Sequence, residues 1–399
     1  MRGTGYELFT QRRFRDLFGA NLLFNLCLVM LVLGISWTMT SLTDSPMLIS
    51  LVQTMMSLPF LVFAVPLGIA ADRVGHRTAL FASQVWLLAV LSLMGVIALA
   101  DGLEFTPTLL LSMTFLVGIG VVAQQTAWKP FMQDFVPKES LVEAIAFNSL
   151  STDVGRAVGP ALGGFLMGVF GPAVVLFTGA VSQLAMIVTL RSVPGRRASD
   201  EAGPANRSLR EAWRLVRQSS ALHGPMIRCA LLMIPVGALL GLLPLEAKEN
   251  IQTGPIGYGG LLVALGMGTA TGGAVMPVLR RRIGLGTVTT AALALFAMAL
   301  IGVSQWDSML LDAVFLFILG LAWSLLSIAQ LFAVQLAAPE HLRGLLNSCY
   351  ALVLQGSLAA GSLAFGVLAD YSGVSRSILA AGVLAMSGLL LVRRFPLAG

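Results

Sequence analysis

Gly68-Ile69-Ala70-Ala71-Asp72-Arg73-Val74-Gly75-His76-Arg77 is a short charged turn between two long apolar stretches. Asp72 can accept from the N-terminal amides of a neighbouring helix and from a nearby Arg. Gly75 permits a tight reversal, and Arg73 and Arg77 add positive charge. The apolar stretches, at about 46–71 and 78–100, are each long enough to cross a hydrocarbon core of ~30 Å. The turn therefore reads as a connection between two membrane spans, and its positive charge marks the cytoplasmic side.

The rest of the chain has the same character. Its 399 residues are 57% hydrophobic and only 11% charged, with 42 Gly and 18 Met. An ordinary globular protein carries roughly 25% charge. A soluble enzyme, a nucleic-acid binder and a secreted disulfide scaffold are all excluded on this ground. Cys27, Cys229 and Cys349 are widely spaced within apolar stretches and read as free thiols. The run from Leu17 to Thr40 is too long for a signal-peptide core and reads as a retained first span.

With about 20 residues per crossing, twelve segments emerge. Six lie near 17–40, 46–71, 78–100, 106–130, 144–170 and 173–191, and six near 224–245, 257–279, 286–304, 308–337, 344–369 and 375–393. Backbone polar groups must be satisfied inside the bilayer, so these are helices. No segment keeps the period-two alternation of a membrane barrel strand.

Charge orients them. Arg2, Arg12, Arg13 and Arg15 precede span one, Lys129 and Lys138 flank the end of span four, and Arg280, Arg281 and Arg282 follow span eight. Arg191, Arg196, Arg197, Arg207, Arg210, Arg214 and Arg217 fall between spans six and seven, Arg343 precedes span eleven, and Arg393 and Arg394 follow span twelve. The opposite connections hold Asp44, Asp101, Glu104, Glu246, Glu249, Asp307 and Asp370, with Lys248 and Arg376 as their basic residues. Both termini and the central linker are thus expected in the cytoplasm, in a bacterial-type inner membrane. The net charge of +6 is a topological label rather than a nucleic-acid footprint. In the linker, residues 194–206 read as disordered. From Ser208 the pattern Leu209, Trp213, Leu215, Val216, Leu222 against Arg210, Arg214 and Arg217 fits either an interfacial helix or a solvated tether.

A constant offset of about 202 residues lays spans four and five on spans ten and eleven: Gly118 on Gly320, Pro137 on Pro339, Gly159 on Gly361, Gly164 on Gly366, Gly171 on Gly373. The expectation is an all-α membrane protein with twelve transmembrane helices in two pseudo-symmetric six-helix bundles. These would be an N-terminal bundle at 1–191, a cytoplasmic linker at 192–223 and a C-terminal bundle at 224–399, with a substrate site at mid-membrane.

The turn at 68–77 resembles the signature loop of the major facilitator superfamily, G-x-x-x-D-R-x-G-R-[RK], with His76 where the family usually has Arg. The resemblance implies a gating role for Gly68, Asp72, Arg73, Gly75 and Arg77. The second half keeps Arg280-Arg281-Arg282-Ile283-Gly284, with Arg281 where Asp72 aligns, which weakens any second latch. Span five carries Gly155, Gly159, Pro160, Gly163 and Gly164, which resembles the superfamily's exporter motif. Its smooth glycine face, with a similar face on span eight (Gly260, Gly266, Gly268, Gly272, Gly273), points to five-on-eight packing. With Phe14-Arg15-Asp16-Leu17-Phe18, Arg343-Gly344, Asn148, Arg156 and the Gly159-Pro160 run of span five, the chain resembles the enterobactin-exporter branch.

Asp153 and Arg156, three apart within span five, read either as a proton carrier with a tuning cation or as a neutralised pair. Asp312 reads as interfacial, and Arg228 as snorkelling. Asn21, Asn25, Gln124, Trp128, Trp323, Gln330, Asn347 and Gln355 are cavity candidates, each with helix packing as its alternative. Thr114 stands about where the family usually has an Arg in span four, which puts the commonest coupling route in doubt. All three His fall in cytoplasmic connections, no metal site is expected, and no Walker A sequence occurs.

The expected function is proton-driven export, by alternating access, of a small amphiphilic molecule such as a siderophore or a drug-like compound. The alternatives are a lysolipid or lipid flippase, an importer and, from another class, a polytopic membrane enzyme. No cofactor is expected, with the proton gradient as energy source. The expected partners are a small-molecule substrate and the lipid bilayer, and the protein is expected to be a monomer.

Overall fold

The computed structural model describes residues 11–100, 105–193, 216–217, 220–337 and 343–394. Among these the chain forms twelve long α-helices and no strand. They are α1 (Arg12–Leu42), α2 (Pro46–Val74), α3 (His76–Leu99), α4 (Pro107–Phe135), α5 (Leu141–Phe170) and α6 (Pro172–Ser192). The series continues with α7 (Ser220–Leu245), α8 (Pro255–Ile283), α9 (Leu285–Val303), α10 (Met309–Ala337), α11 (Arg343–Ser372) and α12 (Val374–Arg394). Each matches one expected span in order. Ten are long and apolar enough to cross a membrane. In α5 the apolar content is diluted by Asp153, Arg156 and several glycines, and the described apolar part of α12, Val374–Leu389, is shorter. Arg2, Asp101, Glu104, His341 and the linker patterns at 194–206 and 208–215 lie outside the described residues, as do the side chains of Lys138, Arg343, Arg393 and Arg394.

The connections follow from local chemistry. Gly75, the sole residue between α2 and α3, has φ 88°. A β-carbon there would meet open space, so backbone conformation rather than crowding favours glycine. Gly171, Gly284 and Gly373 make the corresponding turns α5–α6, α8–α9 and α11–α12. The start of α4 is set by Thr106, whose Oγ1 accepts from the Leu109 amide at 3.2 Å, with Pro107 in the first turn.

Internal contacts divide the chain into two compact units, Met1–Thr38 with Pro59–Ala205 and Met39–Leu58 with Asn206–Gly399. In the first, α5 lies against α1. A β-carbon would approach the Asn25 carbonyl carbon to 3.0 Å at Gly155, Leu26 O to 3.1 Å at Gly159 and the Met30 Cα to 3.0 Å at Gly163. Glycine thus brings two backbones together without a side chain between them. Also in this unit, Gly95 meets Phe177 across α3–α6, and Gly120 meets Leu87 across α3–α4. The second unit repeats the scheme. Gly361 seats on Ile234 O across α7–α11, Gly382 on Ile301 across α9–α12, and Gly302 on Phe315 across α9–α10.

Several glycines of the two faces read as meeting five on eight are in contact within their own units. The face of α5 is taken up by α1. In α8, Gly268 and Gly272 pack against Phe317 and Leu321 of α10, where β-carbons would come within 2.0 and 2.6 Å of carbonyl oxygens. A smooth face in sequence says that a backbone approaches closely, but not whose.

Residues 39–58, from the ends of α1 and α2, belong to the second unit. Ser362 Oγ donates to Ser50 O at 2.6 Å, and Thr54 Oγ1 donates to Ala359 O at 3.2 Å. Asp370 Oδ1 accepts from Ser45 Oγ and the Met47 amide, both at 3.2 Å.

Candidate functional site

The turn at 68–77 forms a compact charged cluster with α4. The His76 ring lies between two carboxylates, with Nδ1 2.7 Å from Asp134 Oδ2 and Nε2 3.1 Å from Asp72 Oδ1. Asp72 was expected to meet helix amides and an Arg, but its partner among the described residues is His76, one helical turn away. Because Gly75 ends α2 and lets His76 open α3, the imidazole swings back over Asp72. His76 precedes the apolar stretch of its span. Burial works against its charge, but the hydrogen bonds to Asp134 and Asp72 and the charges of both acids outweigh it, so its pKa is raised. Arg77 donates from Nε and Nη2 to Leu190 O, at 2.9 and 2.8 Å, closing the C-terminal end of α6. Arg73 is exposed, with no ion pair among the described residues.

A second cluster joins α1, α4 and α5. The Asn148 side-chain oxygen accepts from Trp128 Nε1 at 2.7 Å and from Asn21 Nδ2 at 3.3 Å, while Asn25 Nδ2 donates to Asn21 O at 2.8 Å. Asn21, Trp128 and Asn148 edge a small pocket walled by Phe14 and Phe18. The Phe18 and Phe147 rings meet edge to face at 5.6 Å. Three cavity candidates, Asn21, Asn25 and Trp128, thus come together with Asn148 at their centre. Gln124 is buried in the same helix, α4, as Trp128.

In the second unit Gln330 and Arg228 edge another small pocket, and Gln330 Oε1 accepts from Tyr350 Oη at 3.4 Å. Arg228 is 7% exposed, so it is enclosed rather than snorkelling. Trp323, Asn347 and Gln355 are half-buried and do not join this group.

Asp153 and Arg156 were expected as buried charges. Both are exposed, and no ion pair joins them. The geometry of α5 explains this, since they lie about 160° and 100° around the helix from Gly155, off the face pressed against α1. Asp312 shows the opposite correction. Expected at an interface, it is fully buried, as is Glu246.

Residues 3–399 match the sequence pattern of a family described as transmembrane secretion effectors. Macrolide efflux protein A of Streptococcus pyogenes is 22% identical over 369 residues, covering 89% of this chain and 88% of that protein. Among solved structures, the nucleoside transporter NupG superposes with a TM-score of 0.78 at 11% identity, covering 97% of this chain and 100% of that one. A bacterial homologue of the human lysosomal transporter Spinster, inward-facing and occupied, gives 0.74 at 14% identity, covering 98% and 97%. At these identities the structures speak for the fold, and the full-length family match carries the relationship. The chain belongs to the transmembrane secretion effector family of the major facilitator superfamily.

Proposed function

We propose that the protein is a proton-driven exporter of amphiphilic, drug-like molecules, a transporter rather than an enzyme. It would work in a bacterial-type inner membrane as a monomer with cytoplasmic termini and no cofactor. The observation that carries this reading is the match to the secretion effector family over nearly the whole chain. Support for an amphiphilic, drug-like substrate comes from the macrolide efflux relative and from the Asn21–Asn148–Trp128 cluster. That cluster sets uncharged donors and acceptors among aromatic rings, the chemistry that holds an amphiphile without demanding a charge on it. A siderophore presents similar groups. The two bundles would rock against each other about the linker, with the 68–77 turn restraining the cytoplasmic ends of α2, α3 and α4. Asp153 is the proton carrier of α5 on this reading, with Arg156 tuning it.

The test is uptake of radiolabelled erythromycin, a macrolide, into inverted membrane vesicles. Acidifying the vesicle interior should drive accumulation, and a protonophore should abolish it. Accumulation indifferent to the gradient removes the antiport claim. Gradient dependence retained in Asp153→Asn removes Asp153 as carrier.

A further inference from the structure

Two carboxylates of the second unit lie fully buried without the partners such groups require. Asp312, in the first turn of α10, and Glu246, in the π-helical turn that follows Pro244 at the end of α7, are both 0% exposed. Among the described residues, neither oxygen of Asp312 has a hydrogen-bond partner, and Oε1 of Glu246 has none. Only Glu246 Oε2 is satisfied, by Asn250 Nδ2 at 2.7 Å, and Asn250 Nδ2 also lies 2.9 Å from Ser375 Oγ of α12. The charges of Asp312, Asp307 and Glu249 all act on Glu246.

Among the described residues, no cation answers this acidity. Lys248, in the same π turn, is directed to Thr40 O and to Asp44 Oδ1, the latter at 3.3 Å. Among the described side chains, α9 has no ionisable group, and α8 offers Tyr258 at the end where Gly260 faces Met309 of α10. Arg376 of α12 is exposed, without an ion pair among the described residues. Asp370 of α11 is occupied by Ser45 and Met47. An isolated ionised carboxylate is too costly to leave buried in this way, so the site needs a ligand that cancels charge and supplies a donor. A proton does both. A divalent ion would ask for a larger oxygen set, and no group of three or more metal-capable acids, His or Cys gathers among the described residues.

We propose that Glu246 and Asp312 form a proton-binding site, separate from Asp153, at the end of the second unit that the charge pattern assigns to the outer face. The step is addition of a proton to a carboxylate oxygen and its later loss from the same O–H bond, with no co-reactant. The site deepens the exporter reading by naming where protons from outside are taken up, and its coupling role rests on that reading.

Infrared difference spectroscopy on the purified full-length chain in lipid nanodiscs, recorded between acid and alkaline buffers without added metal, tests the site with no transport substrate. A protonated-carboxyl C=O band should appear on acidification, disappear in Asp312→Asn and be weakened in Glu246→Gln. Asp16→Asn, at an exposed acid of α1, should leave the band unchanged. If Asp312→Asn fails to fold, wild-type protein carrying carbon-13 at the aspartate carboxyls keeps the proposal testable, because the band must shift. A band that is absent, untouched by these changes, or displaced by sodium at constant pH overturns the proposal. Erythromycin uptake by the same variants separates the two readings. The Asp312-dependent band with uptake indifferent to the gradient supports the site and sinks proton-driven export. Gradient-driven uptake without that band does the reverse.

Discussion

The two units each hold an acid cluster, and the clusters are opposites. In the first, Asp72 and Asp134 keep side-chain exposures of 47% and 42% and share His76 between them. In the second, Glu246 and Asp312 are buried and have no ion pair among the described residues. An exposed acid beside a base gains modestly from the pairing, because water already stabilises the charge. A buried acid without a donor has no such support, so its environment changes sharply with each proton gained or lost. The first arrangement suits a restraint, and the second suits a site that binds and releases.

The sharpest way to break this comparison is Asp312→Leu. Gradient-driven erythromycin uptake should be lost while thermal stability in detergent rises by about 1–3 kcal/mol, since a buried group without its hydrogen bonds is removed. A fall in stability would mean that the carboxylate holds the fold and would erase the contrast. Next in size, His76→Gln should lower stability by about 1 kcal/mol or less near pH 6. The sign follows from the raised native pKa of His76. The stabilisation is complete below the ordinary value of about 6.5 and is lost as pH rises through the higher folded value. Melting curves of the two proteins should therefore converge toward pH 9, and a gap that widens with pH would refute the arrangement. His76→Arg, whose charge does not titrate in this range, should keep its stability through the same interval. The smallest effect is expected for Asp134→Asn, a few tenths of a kcal/mol, because Asp72 still faces the ring. The pH dependence should flatten rather than vanish.

The helices were legible in the sequence because crossing a bilayer demands length and apolarity whatever the neighbours are. The observed α2 (Pro46–Val74) and α6 (Pro172–Ser192) extend only a few residues beyond the segments read at 46–71 and 173–191. The single-glycine turns were partly legible, since Gly75 sits in a charged break between apolar runs. Pairwise packing was not. Gly155, Gly159 and Gly163 announce close approach, but not that the helix they meet within their unit is α1. Burial of charge departs from the sequence expectation in both directions for the same reason. Asp153 lies mid-helix yet faces away from the packed side, whereas Asp312 lies near a helix end yet is covered. Asn148 became the centre of the amide cluster only once α1 and α4 had been placed beside α5.

The stretch 39–58 has a consequence for how the molecule is made. Ser45 and Asp370 stand 325 positions apart, and Ser50 and Ser362 are 312 apart. Synthesis runs from the N-terminus, so the ends of α1 and α2 enter the membrane long before α11 exists. Until then Ser50 O lacks the Ser362 hydroxyl, and Thr54 lacks the Ala359 carbonyl. A ribosome halted after α6 would leave behind six helices with these polar groups still unmatched. Completion of the chain is thus what supplies the hydrogen-bond partners of its second helix.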